Sequence, residues 1–161
     1  MPCITLLFIQ NLLNYLKGSI KMLDYKATER YKEGIKLMQE KYEQAVIDSV
    51  DSKLYEFCPE LADLVASHGM VEIWKEKTSS FSTKEKELFV FSALVAQGGC
   101  NEEFEGHVYN ALKMGNSKQQ VKELLILLTL YVGVPKVLDK LPYVMKAFSK
   151  YDSSVENLKV K

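Results

Sequence analysis

Arginine is almost missing from this chain. Its 21 basic residues are lysines apart from Arg30, which leaves little for the planar, bidentate grip on carboxylate or phosphate that a guanidinium provides. An anionic ligand would lean on Arg30, on lysines or on helix N-termini. No charge of one sign prevails, because 21 acids balance the 21 bases; this excludes the basic surface of a nucleic-acid binder and the long acidic run of an interaction tail. Cysteine is sparse. Cys3, Cys58 and Cys100 are too widely separated for a disulfide framework or a zinc pattern, which points to a reducing, cytoplasmic setting. The two histidines, His68 and His107, lack metal-type spacing, and neither a glycine-rich phosphate loop nor a serine elbow occurs, so no metal or cofactor is expected. Sustained period-two alternation is absent too, and with it any convincing strand.

The first 21 residues, MPCITLLFIQNLLNYLKGSIK, read differently from the rest. They lack the basic start and small-residue cleavage site of a signal peptide and are too short and interrupted to span a bilayer. Lys17-Gly18 must be encoded with an AGG core of a ribosome-binding site upstream of Met22. Residues 1–21 therefore read as a non-native or disordered extension, and residues 22–161 as one domain.

What is present is helical almost throughout. In ATERYKEGIKLMQEKYEQAV, Tyr31, Ile35, Met38 and Tyr42 recur at helical steps and predict one amphipathic face. PELADLVASHGMVEIW starts with a proline suited to a first turn and is expected to bend or divide at Gly69. Ser82 to Glu85 and Ser117 to Gln120 are capping-box patterns, and Gly98-Gly99, Gly115 and Gly133 mark stops. The apolar run from Leu124 to Val134 is too wide for a one-sided surface helix, so burial against neighbours or a subunit partner is expected. A last helix from Pro135, kinked near Pro142, should end in a frayed SSVENLKVK tail. The fold class is all-α, with about six main helices.

GGCNEEFEGH, residues 98 to 107, concentrates the rare residue types. On a helix starting near Cys100, Cys100, Glu103 and His107 share one stripe, within about sixty degrees of each other. A thiol at a helix N-terminus has its thiolate favoured by the dipole, and His107 can serve as proton acceptor or counter-ion, oriented by Glu103 one turn earlier. A plain structural role fits the same residues: a buried Cys100, a dipole-compensating Glu103 and a hydrogen-bonded His107. Glu87, inside the apolar EKELFVFSALV helix, is a weaker candidate for a half-buried acid or a surface charge. His68 reads as a capping or surface histidine, and Trp74 and Tyr131 as core aromatics able to line a pocket.

The segment EKELFVFSALVAQGGCNEEFEGHVYNALKMGNSKQQVKELLILLTLYVGVP, residues 85 to 135, resembles the carboxymuconolactone decarboxylase and alkylhydroperoxidase D-like superfamily, closer to the decarboxylase branch. The match lies in the KEL helix opening, Glu-x-x-x-His, HVxNALxxG and Y-x-G-x-P. The resemblance implies an all-helical subunit assembling into homo-trimers or homo-hexamers, with sites near subunit contacts and a small-molecule substrate. Hydroperoxidase-like members carry Cys-x-x-Cys-x-x-x-His with an upstream glutamate. Here Cys100 and His107 match, Glu87 resembles the upstream glutamate, and Glu103 stands at the second cysteine. Loss of that thiol removes the local disulfide of a two-cysteine cycle. The first reading is therefore acid-base chemistry by Glu103 and His107 on a small organic acid or lactone, with Cys100 lining the pocket. An alternative is a thiol peroxidase using Cys100, with Glu87 and Glu103 as relay and an external thiol reductant. A third is a non-catalytic helical oligomer that binds a small molecule. No membrane or nucleic-acid partner is implied.

Overall fold

A computed structural model describes residues 23–75 and 79–159; the expected extension, residues 1–21, lies outside them. After a single 3₁₀ turn, Tyr25–Ala27, come α1 (Glu29–Lys41), α2 (44–57) and α3 (59–74). They are followed by α4 (Thr83–Gln97), α5 (Asn101–Lys113), α6 (Lys118–Val132) and α7 (Val134–Lys159). No strand occurs among the described residues, so the all-α expectation holds. None of these helices is long and apolar enough to cross a membrane.

Local chemistry explains most of the boundaries. Thr28 caps α1 by accepting from the Tyr31 amide. Both capping boxes form: Ser82 with Glu85, and Ser117 with Gln120. Two sequence expectations fail at helix breaks. The first predicted helix does not run through to Val46, because Tyr42 and Glu43 are extended; Tyr42 leaves the helical track while its ring still packs on the same apolar cluster. Gly69 does not divide α3, which instead continues to Trp74 in a looser, π-type winding. The expected frayed tail is helical through Lys159, and its last two residues lie outside the described ones. The helix is anchored where Tyr151 packs on the core, Ser154 bonds the Tyr151 carbonyl and Asp152 pairs with Lys118 at 2.5 Å.

The buried side chains fall into two clusters. Tyr31, Met38, Ile47, Ala62, Ala66 and Met70 join α1, α2 and α3. Phe91, Phe104, Val108, Leu112, Leu125 and Val144 join α4 to α7. Between them the seam is crossed by polar bonds: Lys41 Nζ to Thr83 Oγ1 at 2.7 Å, Lys86 Nζ to the Ile73 carbonyl at 2.6 Å, and Lys150 to Glu43 at 2.7 Å. The Lys150 ammonium holds the Glu43 carboxyl below its ordinary range.

Candidate functional site

Glu87 lies in the second turn of α4, on the face turned inward, and only 1% of its side chain is exposed. Burying a carboxylate is costly unless it is paired. Its partner is His107, half-buried on α5, whose Nδ1 lies 2.7 Å from Glu87 Oε2. With Glu87 ionised its oxygens only accept, so Nδ1 donates the shared proton and Nε2 is the nitrogen left without it. The Trp74 indole, from the end of α3, stacks on the imidazole with ring centroids 6.4 Å apart and planes 17° from parallel. The pair thus sits on the seam, with Glu87 and His107 from one cluster and Trp74 from the chain of the other. Tyr42 completes the surroundings. Burial, and next the charge of Glu87, push its hydroxyl well above the ordinary phenol range, so Tyr42 stays a neutral donor at physiological pH.

The corner leading into α5 is unusual. Gly98, Gly99 and Cys100 all have positive φ, and Cys100, at φ 45° and ψ 44°, is the one residue without glycine's freedom to do so among the described residues. Such a conformation persists where surrounding structure imposes it. Here the imposing group is Lys140 of α7, fully buried. Its ammonium donates to the Gly99 carbonyl and to Asn101 Oδ1 at 2.6 Å, and lies 5.3 Å from the Phe104 ring centroid. Asn101 in turn donates to the Tyr143 hydroxyl at 2.9 Å. The Cys100 thiol is exposed, and its Sγ receives the Gln97 amide at 3.5 Å.

Of the four residues singled out by sequence, Glu87 and His107 come into direct contact. The carboxylate orienting the imidazole is Glu87, not Glu103 as expected. Glu103 is exposed, because the inward positions of its helix turn are taken by Phe104 and Val108. Cys100 stands two helical turns before His107, exposed rather than buried. His68 lies elsewhere, exposed and bonded to Glu72, in a surface hollow also lined by Arg30, Asp63 and Ser67. Tyr131 is not a core aromatic, being 77% exposed; its position on α6 faces away from the cluster. Sequence reasoning missed the roles of Tyr42 and Lys140. The only signals were a lysine in an apolar helix and a tyrosine ending an amphipathic face. Among the described residues, no group of three His, Cys, Asp or Glu side chains is placed to hold a metal ion.

Among known families, the model of the Carboxymuconolactone decarboxylase family matches residues 59–146, more than half of the chain. Trp74, Glu87, Cys100, His107 and Lys140 all fall inside that stretch, whereas Tyr42 precedes it. No curated protein matches the chain.

Proposed function

Since the chain belongs to the carboxymuconolactone decarboxylase family, we propose that it is an enzyme of proton transfer on a small organic acid or lactone, with Glu87 and His107 as its working pair. The observation that carries this reading is the 2.7 Å contact between the buried Glu87 carboxylate and His107 Nδ1. Glu87 holds the tautomer and offsets the positive charge when Nε2 takes a proton; Nε2 then returns that proton to carbon. In a decarboxylation, the bond to the departing carboxylate breaks as CO2 leaves. Its electron pair spreads into the conjugated carbonyl, and the protonated His107 quenches the resulting carbanion. Cys100 lines the approach.

Assembly is part of the proposal. On α6, Ile126, Leu130 and Tyr131 are 68%, 79% and 77% exposed, and on α7 Leu138 and Met145 are 55% and 70% exposed. Apolar stripes of this kind on two consecutive helices mark protein contact surfaces. A second copy of this chain is the proposed occupant, in a homo-trimer or homo-hexamer that completes the small-molecule site.

A second reading rests on Cys100, whose exposed thiol is held in a strained conformation at a helix start. A single-thiol peroxidase would pass one electron pair from sulfur to the peroxide, forming a sulfenic acid that an external thiol reduces. Substitution separates the readings. Against a panel of unsaturated lactone acids followed by NMR for CO2 loss or deuterium uptake at carbon, His107→Gln is expected to lose about 10²–10⁴-fold in rate, and Cys100→Ala to retain most of it. Equal loss in both variants, or peroxide turnover abolished by Cys100→Ala, would favour the thiol.

A further inference from the structure

We propose that Trp74 is the positioning residue of the Glu87–His107 pair, fixing the plane of the imidazole while Glu87 fixes its direction. The inference rests on the proton-transfer reading of that pair. A hydrogen bond to Nδ1 selects the ring's rotation about Cβ–Cγ but still allows small tilts about that bond. A flat group held nearly parallel to the ring removes those tilts. The indole is such a group, 17° from parallel at 6.4 Å between centroids, within the range of offset aromatic stacking. The two restraints together aim Nε2.

The restraints come from different parts of the molecule. Glu87 and His107 stand on α4 and α5, inside the C-terminal cluster. Trp74 ends α3 and packs on the N-terminal cluster. Its placement is set beside it: the carbonyl of the preceding residue, Ile73, accepts from Lys86 Nζ at 2.6 Å, one residue before Glu87. The segment bearing the indole is thus pinned to the helix bearing the carboxylate.

Trp74 is the one tryptophan of the chain, and His107 one of two histidines, so the coupling can be read without a substrate. Glu87 on α4 bonds the ring, Tyr42 is held neutral beside Glu87, Lys86 bonds the Ile73 carbonyl, Lys75 next to Trp74 pairs with Glu33, and Glu103, one turn earlier on α5, is exposed. In the full-length protein, tryptophan emission is expected to fall when acid protonates His107, since a stacked imidazolium quenches indole. The step should vanish in His107→Gln and persist in His68→Gln. A step that survives His107→Gln, or no step in the wild type, overturns the proposal.

Ring NMR supplies the second measurement. Wild type and Trp74→Phe are expected to show a single imidazole environment with a protonated, hydrogen-bonded Nδ1, whereas Trp74→Ala should lose it to averaging between ring orientations. An unchanged imidazole spectrum in a folded Trp74→Ala protein refutes the positioning role. If Trp74→Ala does not fold, the wild-type and His107→Gln emission titrations decide the question. Neither readout involves turnover. A protein with the coupling intact but no His107-dependent reaction would sink the proton-transfer reading and leave the positioning role standing.

Discussion

Lys140 shows how much one side chain can determine. Its ammonium is fully buried, and the nearest carboxylate, that of Asp139, is 4.0 Å away and 64% exposed, so Coulombic pairing contributes little. What it holds is the Gly99 carbonyl and the Asn101 side chain, and through them the positive φ of Cys100. Replacing a buried pair by apolar groups is tolerated when both partners go, but a lone replacement strands the acceptors. Lys140→Met is therefore expected to cost about 3 kcal/mol, read as a lower urea midpoint at constant slope. An unchanged midpoint would mean that the corner holds itself. Sequence could place Lys140 on a helix. It could not show that the residue points inward, because lysine is ordinarily a surface residue and its burial depends on a carbonyl 41 residues away.

At the scale of the helices, the same substitution has opposite expected signs at two glycines. A Cβ on Gly34 would stand 2.1 Å from the Ala66 carbonyl oxygen and 2.5 Å from its carbon, so α1 and α3 touch backbone to backbone. Gly34→Ala must push them apart, a strain of about 3 kcal/mol that exceeds the roughly 1 kcal/mol of helix propensity gained. Gly106, on α5, would meet nothing within 4 Å. Gly106→Ala should stabilise the protein by about 0.5–1 kcal/mol. Thermal unfolding of the two variants measures both; a stabilised Gly34→Ala would refute the close approach. The helices themselves were legible because caps and stops act within a few residues. Ser82, Ser117 and the glycine stops stood where expected, whereas the break at Tyr42 did not, since nothing local demands it.

For the whole molecule, the wide apolar run on α6 is only partly buried within one chain. Its inner side, Val121, Leu125 and Leu128, is buried in the C-terminal cluster, while Leu130 and Tyr131 stand 79% and 77% exposed. If a second copy covers them, Leu130→Glu together with Tyr131→Glu should shift the protein from oligomer to monomer in analytical ultracentrifugation, with helical circular dichroism unchanged. A wild-type protein that sediments as a monomer would remove this surface from the proposal.

The amino-acid sequence determined the all-helical class, the capped helix starts and the stripe that carries His107, because these follow from periodicity and from hydrogen bonds between near neighbours. It also favoured Glu103 over Glu87 as the partner of His107. Tertiary structure reversed that choice, by packing α4 against α5 so that Glu87 is buried on His107 Nδ1 while Glu103 stays in solvent. It likewise brought Trp74 onto His107, Tyr42 near the charge of Glu87, and Lys140 under the corner that leads into α5. Which side chains meet across a seam depends on how whole helices dock, and docking is set by many weak contacts far apart in the chain.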